Sequence, residues 1–250
     1  RYALKANTTG TGNVAMGYEP LDANTIGNNN TAIGVQALHL NTTTSNNTAI
    51  GAGALFANVA NNNTAYGHYA LLSNTTGYSN VGIGVSVLQN NTTGYENIAI
   101  GYRALHASTT ASYNTAMGTY ALQSTTTGAN NTGIGYGALD ANTTGNYNCA
   151  FGMHTLDAGN SGDHNSAYGS SAMTANTTGA STTAVGRDAM AANTTGNENI
   201  AIGRGCLAVN TTGGQNVAIG VYTLVANTTA SSNTAVGHYS LANTSTASQN

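Results

Sequence analysis

The chain carries a glycine at a nearly constant interval along its length. The interval is 17 residues, except for one step of 16 residues between Gly51 and Gly67. We call these residues the ruler glycines: Gly17, Gly34, Gly51, Gly67, Gly84, Gly101, Gly118, Gly135, Gly152, Gly169, Gly186, Gly203, Gly220 and Gly237. A fixed period of about 20 residues over a whole chain is typical of a solenoid, in which one short unit is stacked on the next. The sequence therefore predicts a single repeat array over residues 1–250.

The residues around each ruler glycine predict the local structure of the unit. The residue before the glycine is large and apolar, the one before that is Ala or Gly, and the third is Thr, Val, Ile, Ser or Cys. This alternation predicts a short β-strand. A Leu or Met stands four residues after each ruler glycine, from Leu21 to Leu241, and predicts a second short strand or extended edge.

The recurring Asn-Thr-Thr-Gly stretch predicts a corner, because Asn and Gly adopt turn conformations at little cost. Frequent Gly, Asn and Thr disfavour a helix. The predicted fold class is therefore all-β: a parallel β-solenoid, or β-roll, of about 14 to 15 coils at a spacing of about 4.8 Å. The 16-residue step predicts a deletion at the corner that follows Ala57 and Asn58.

Stacking places equivalent residues above one another in columns. We expect the Leu column and the Ile/Met/Val column before the ruler glycines to form apolar ladders inside the coil. We expect the Asn residues before each strand and at each corner to form amide ladders, as in cross-β assemblies. The small Ala/Gly column points away from the Ile column, so we expect it to face a partner chain or the opposite wall of the coil.

The composition excludes several classes of protein. Charged residues make up 5% of the chain, against about 25% in ordinary soluble domains. So few charges disfavour a disordered chain, and five basic residues are too few for nucleic-acid binding. No apolar run approaches the ~20 residues of a membrane span, and no signal peptide is recognisable. Cys149 and Cys206 lie three coils apart in different registers, so we expect them to fill small apolar positions rather than form a disulfide.

Neither end of the chain carries a capping segment of the kind that solenoids use to shield their open ends. We therefore expect a slice of a longer chain, or one unit of a fibre stacked end to end.

Residues 216–220 (Asn-Val-Ala-Ile-Gly) and 97–101 (Asn-Ile-Ala-Ile-Gly) resemble the repeats in the heads of trimeric autotransporter adhesins. They are equally similar to repeats of phage tail fibres and related surface proteins that carry a C-terminal intramolecular chaperone. The resemblance covers the whole chain through the Val/Thr-Ala-Ile-Gly core of each repeat. It implies a parallel β-roll, often with three chains side by side, that works as an extended adhesive or shaft segment. The Asn-Thr-Thr-Gly corner is an addition relative to the adhesin-head unit.

Asn-X-Thr/Ser sequons recur at or beside the same corner and are candidate N-glycosylation sites. The alternative, which we favour, is that Asn-Thr-Thr is corner chemistry with Asn in a left-handed conformation. The candidate asparagines are Asn7, Asn41, Asn74, Asn91, Asn142, Asn176, Asn193, Asn210, Asn227 and Asn243.

Other polar residues offer weaker candidates. His39 and His106 share a register but lie four coils apart, too far to share a metal, so we expect them at the surface. Asp140 and Asp157 share a register on adjacent coils and could share a cation, although a solvated pair is the favoured interpretation. Residues 159–163 have the composition of a calcium loop but do not repeat. No nucleophile constellation or phosphate loop is visible, so the sequence predicts no catalytic residue, no cofactor and no metal.

Tyr and Thr columns offer a binding surface. Tyrosines cluster after the ruler glycines and in the variable link before the strands, where they could bind sugars or a receptor, or pack against each other. Thr columns at the corner could bind ice or glycans: Thr8, Thr42, Thr75, Thr92, Thr143, Thr177, Thr194, Thr211 and Thr228.

The function predicted first is that of a structural fibre segment, extracellular or part of a surface or virion appendage. It would self-associate as a trimer or an end-to-end polymer and serve attachment or surface coating, with surface glycans or a host receptor as further partners. One alternative is an ice- or glycan-binding solenoid that uses the Thr and Tyr ladders. A second is a fibril protein that carries N-glycans on its Asn-Thr-Thr corners.

Overall fold

A computed structural model describes residues 2–159, 161–243, 245–246 and 248–249. This part of the chain contains no helix and fourteen strands of three residues each. The strands are β1 (Val14–Met16), β2 (Thr31–Ile33), β3 (Thr48–Ile50), β4 (Thr64–Tyr66), β5 (Val81–Ile83), β6 (Ile98–Ile100), β7 (Thr115–Met117), β8 (Thr132–Ile134), β9 (Cys149–Phe151), β10 (Ser166–Tyr168), β11 (Thr183–Val185), β12 (Ile200–Ile202), β13 (Val217–Ile219) and β14 (Thr234–Val236).

The strands form one sheet in chain order, which confirms the predicted parallel β-solenoid. The fourteen strands delimit about 13 full turns, and the segments before β1 and after β14 add partial ones. Residue contacts divide the chain into two compact units, Arg1–Thr127 and Gly128–Asn250. Each unit contains seven of the strands, with the same repeat in both.

The register is kept from coil to coil. Equivalent residues such as Ala32 and Ala49 pair at a separation of 17 residues, and only the pairing of Ala49 with Ala65 spans 16. The short step is absorbed at the corner, where Asn58 Nδ2 donates to the carbonyl oxygen two residues later, at 2.7 Å. The equivalent bond of Asn41 reaches three residues ahead. The deletion therefore shortens the corner and leaves the sheet intact.

The interior of the coil is filled by Leu and Ala. The Leu column from Leu21 to Leu224 is fully buried, and so is the middle residue of nearly every strand; Leu38 and Ala32 are examples. The prediction that the Ile/Met/Val column lies inside was wrong, because the residues that precede the ruler glycines point outward, as Ile83 and Ile202 do. Of the two alternatives for the small column, the one observed is that it faces the opposite wall of its own coil, where Leu fills the space.

That opposite wall is a run of turns, so the predicted second strand was also wrong. Alternate residues in its first half have positive φ, with Gln36 at φ 54° and Leu38 at φ 52°. In a strand, neighbouring side chains point to opposite faces, whereas here Ala37 and Leu38 are both fully buried. The wall still bonds to its neighbours, because the Leu38 N–H donates to the Ala54 carbonyl of the next coil at 3.0 Å.

The ruler glycines from Gly17 to Gly220 stand where a side chain has no room. Gly101 has a φ of +131°, which residues with a side chain rarely adopt. A Cβ there would lie 2.5 Å from the Gly118 carbonyl oxygen of the next coil. The period of the sequence therefore marks a point of close approach between consecutive backbones.

Two buried amide ladders run along the coils, as predicted. At the corner, Asn91 Nδ2 donates to Asn74 Oδ1 at 2.7 Å and to the Gly94 carbonyl at 2.9 Å. Before the strands, the backbone N–H and the Nδ2 of Asn97 both donate to Asn80 Oδ1, at 3.0 and 3.1 Å. Each side chain thereby satisfies polar groups of its own coil and of the preceding one, which burial otherwise makes costly.

Candidate functional site

The outward side of the sheet is the most extensive candidate surface. We define the strand face as the first and third residues of strands β1 to β14. Its third-position residues are half-exposed or exposed, with Ile202 at 39% and Tyr66 at 56%. A three-residue strand is about 10 Å long and adjacent strands lie about 4.8 Å apart, so seven strands present about 340 Å² in each unit. Contiguous apolar patches of this size on a monomer are often functional.

The chemistry of the strand face is uniform. None of its residues is Asp, Glu, Lys, Arg or His. The third column holds Ile, Met, Val, Tyr and Phe, and the first column holds Thr, Val, Ile, Ser and Cys. Phe151 and Tyr168 stack on adjacent coils with ring centroids 5.1 Å apart. Such a surface can bury apolar area against another surface without stripping water from a charge.

The two cysteines are free thiols in small apolar positions, as predicted. Cys149 belongs to the strand face, where its Sγ lies 3.5 Å from the Tyr168 hydroxyl. That hydrogen bond raises the pKa of Tyr168 above its usual value. Cys206 lies inside the coil and its Sγ donates to the Ala218 carbonyl at 3.1 Å. Burial raises the pKa of Cys206 to about 11. The two thiols differ in accessibility, because Cys149 is half-exposed and Cys206 is fully buried.

The candidate glycosylation asparagines are part of the corner ladder. Asn7 is half-buried and Asn243 is exposed. The other eight are fully buried: Asn41, Asn74, Asn91, Asn142, Asn176, Asn193, Asn210 and Asn227. Within the ladder, Nδ2 atoms such as that of Asn210 donate to the preceding amide and to a carbonyl of the same corner. Nδ2 is also the atom that a glycan would occupy, so the folded coil favours corner chemistry over glycosylation at these eight positions.

The left-handed conformation expected for these asparagines is found elsewhere. Among the described residues, positive φ values in this part of the repeat belong to the link before the strand, for example Asn29 at 55° and Asn46 at 62°. The sequon asparagines instead use their side chains to close the corner. The prediction that these asparagines lie at the corner is confirmed. The left-handed conformation predicted for them belongs instead to residues of the link before the strand.

The corner threonines are largely engaged within the coil stack. The Thr92 hydroxyl donates to the Thr109 carbonyl of the next coil at 3.0 Å, and Thr194 bonds to Thr211 in the same way. Thr75, Thr177 and Thr211 repeat this bond. A hydroxyl that already donates to the backbone has only its lone pairs left for ice or a glycan.

The histidines and aspartates predicted as weak candidates have local partners. The Nδ1 atoms of His39 and His106 lie 3.2 and 3.0 Å from backbone carbonyl oxygens of the preceding coil. Asp157 pairs with His154 at 2.8 Å. No group of three His, Cys, Asp or Glu side chains that could hold a metal occurs among the described residues. Of residues 159–163, Asn160 lies outside the described residues, and Asp163 accepts a hydrogen bond from the Asn146 backbone.

Aromatic rings stack along the link and after the ruler glycines. Tyr78 and Tyr95 are parallel, with ring centroids 4.8 Å apart, and Tyr222 stacks on Tyr239 at 5.3 Å. Mutual packing, one of the two roles considered for the tyrosines, is therefore observed. Binding of a sugar or receptor stays a prediction.

A polar cleft of about 360 Å³ lies in the second unit. Gly214 contributes no side chain there, while Gln215 Nε2 donates to Glu198 Oε2 at 3.1 Å. Because its one carboxylate is already hydrogen-bonded and no aromatic ring lines it, the cleft offers less than the strand face to a ligand.

Comparisons with known proteins do not assign the chain to a family. No family model, no curated protein and no solved structure matches the chain. The described residues include no helix long and apolar enough to cross a membrane.

Proposed function

We propose that the chain is a structural segment of an extracellular fibre, or of an appendage on a cell surface or virion, and that it self-associates through its strand face. The observation that carries the proposal is the uncharged, partly exposed strand face, which recurs on all fourteen strands. The resemblance of the repeats to those of trimeric autotransporter adhesin heads and phage tail fibres supports it. Attachment or surface coating is the role that such a segment would serve.

The area of the strand face sets a condition on this self-association. If the seven strands of one unit pack against an equal area, they bury about 680 Å² in total. Stable interfaces bury at least about 1,200 Å². The strand face of a single unit is therefore too small to hold a stable interface by itself.

A pair of matched substitutions tests the proposal. Ile202 in β12 and Val209 in the turn wall are apolar and similarly exposed, at 39% and 42%. Ile202→Lys places a charge on the strand face, and Val209→Lys places one elsewhere on a neighbouring part of the same coil. We expect the parent chain and Val209→Lys to be oligomeric in sedimentation analysis and Ile202→Lys to dissociate at least tenfold more readily. A monomeric parent chain, or equal behaviour of the two variants, contradicts the proposal.

Cys149 supplies a second measurement. Its thiol belongs to the strand face, so self-association through that face should slow its alkylation as protein concentration rises. In Ile202→Lys the slowing should disappear. Cys206 is an internal reference, because its buried thiol should stay unreactive in every folded sample.

The ice-binding alternative has a direct test as well. Since most corner hydroxyls already donate to backbone carbonyls, we expect no thermal hysteresis. A measurable hysteresis that is lost in Thr92→Val would support the alternative instead.

A further inference from the structure

Three tyrosines of the first unit form a cluster in the link before β5 to β7. We call Tyr78, Tyr95 and Tyr113 the link tyrosine cluster. The rings of Tyr78 and Tyr95 lie on adjacent coils with centroids 4.8 Å apart and planes 8° from parallel. Tyr113 meets Tyr95 edge-on, with centroids 5.1 Å apart and planes at 78°. Tyr78 and Tyr95 therefore lie face to face in contact, and Tyr113 approaches from the side.

The cluster is open to solvent and lies outside the strand face. Tyr78 and Tyr113 are 43% and 47% exposed, and Tyr95 is half-buried. The pKa of Tyr113 is raised to about 12, and the largest cause is a hydrogen bond with the Tyr95 hydroxyl. The partly exposed rings of the cluster are reachable by a diffusing oxidant.

We propose that Tyr78 and Tyr95 are an oxidative coupling site, at which a haem peroxidase acting with hydrogen peroxide joins the two rings as dityrosine. Each phenol gives up one electron and its hydroxyl proton to form a phenoxyl radical. The two radicals combine through the ring carbons next to the oxygens, and the hydrogens on those carbons return to the oxygens as the rings regain aromaticity. Hydrogen peroxide takes up the two electrons and two protons and leaves as two water molecules.

Geometry singles out this pair. Coupling between two groups that are held together is effectively unimolecular, and this raises its rate greatly over encounter in solution. Tyr222 and Tyr239 are farther apart and more tilted, at 5.3 Å and 25°. Phe151 and Tyr168 match the angle of 8°, but Phe carries no hydroxyl and cannot form a phenoxyl radical.

The bond would join two adjacent coils inside one chain. Coil-to-coil contacts are otherwise non-covalent in this unit, where the described residues hold no cysteine pair. A covalent link there would resist unwinding of the stack. The inference does not depend on the proposed self-association, because the cluster lies outside the strand face and the product forms within a single chain.

The experiment uses the full chain with Cys149→Ser, which removes the half-exposed thiol that would consume oxidant. The protein is treated at low concentration with a haem peroxidase and hydrogen peroxide. Dityrosine fluorescence is then measured together with intact mass, migration on a denaturing gel and peptide sequencing by mass spectrometry. We expect a monomeric product that has lost two hydrogens, a peptide pair joined through Tyr78 and Tyr95, and a higher thermal midpoint.

Two variants complete the design. Tyr78→Phe keeps the ring stack but removes one phenol, so the fluorescence should fall at least fivefold. Tyr168→Phe is the matched control and should leave it unchanged. Equal fluorescence in Tyr78→Phe, dityrosine only between chains, or a dominant link between Tyr95 and Tyr113 would overturn the assignment.

Discussion

Gly82 and Val87 are paired departures from the repeat within one coil. Half of the coils, seven of fourteen, have alanine at both positions, as at Ala99 and Ala104. A Cβ added to Gly82 would lie 3.1 Å from Val87 Cγ1 and 3.3 Å from Leu71 Cδ1. Both neighbours are fully buried and cannot move away into solvent. We infer that the missing methyl of Gly82 makes room for the extra bulk of Val87.

The structure gives a magnitude for each change. Gly82→Ala overpacks the core, which costs roughly 1–3 kcal/mol, less about 0.4–1 kcal/mol from the reduced freedom of the unfolded chain. Val87→Ala removes two buried methyl groups at about 0.8 kcal/mol each, and the cavity adds to that loss. Gly82→Ala should therefore lower the free energy of unfolding by up to about 2.6 kcal/mol, and Val87→Ala should lower it by at least about 1.6 kcal/mol. The double variant restores the alanine pair and should lie within about 1 kcal/mol of the parent.

Guanidinium unfolding of the parent chain, the two single variants and the double variant measures the coupling between positions 82 and 87. A matched cycle in the next coil starts from alanine: Ala104→Val should destabilise the chain, and adding Ala99→Gly should recover most of the loss. If the double variant Gly82→Ala with Val87→Ala costs the sum of the two single variants, the two positions are independent. That result would refute the inference that strand and turn wall share one fixed interior volume.

The backbone and the amide ladder give further predictions. Gly101→Ala should lower the free energy of unfolding by at least about 3 kcal/mol, because positive φ strain adds to the clash with the next coil. Gly159→Ala is the control: its Cβ would have no described atom nearer than 3.9 Å, so the thermal midpoint should change little. Ser108→Asn should stabilise the chain by about 1 kcal/mol in guanidinium unfolding, because the Oδ1 of Asn91 has no hydrogen-bond partner among the described residues and would gain a donor. Asn91→Asp should become less stable as pH rises in thermal melts, since a carboxyl that faces Asn74 Oδ1 and a carbonyl oxygen has a raised folded pKa; a pH-independent loss would contradict this.

The glycine period and the strand triplets could be predicted from the sequence because both reflect local geometry. A ruler glycine such as Gly101 is fixed by its φ and by the next backbone, and no other residue meets both conditions. Stacking then fixes the register without further information, since each coil pairs with a copy of itself. The one short corner near Asn58 does not disturb this, because the missing residue lies outside the strand.

Which face of the strand lies inside could not be predicted from hydrophobicity. Ile is more apolar than Ala, and this favoured Ile inside. The sequence does carry a signal for the observed arrangement. The middle strand residue is Ala or Gly in every coil, as at Ala32 and Gly82, whereas the third residue varies from Val185 to Tyr66. A narrow interior needs a constant volume, and an outward column tolerates change.

The turn wall was hidden for a different reason. Left-handed backbone at Leu38, Ser86 or Tyr120 has no sequence signature, since such residues rarely adopt it. In this protein, backbone hydrogen bonds between coils compensate for the strain of the left-handed residues. These hydrogen bonds form only once the coils have stacked. The Leu column after the ruler glycines predicts a second strand or extended edge, because left-handed backbone at a residue such as Leu38 is not its local preference.

The candidate surface follows from a comparison of the exposed columns. The columns after the ruler glycines and in the link are exposed or half-exposed and admit charge freely, as at Glu19, Arg103 and Asp188. The strand face is exposed to a similar degree, yet it carries no charged residue at any of its positions. Folding of a single coil stack does not require an uncharged strand face, because outward side chains take little part in packing the interior. A uniform lack of charge on an outward column is instead the pattern expected where another apolar surface is met, and a second copy of the same repeat presents such a surface at the same spacing.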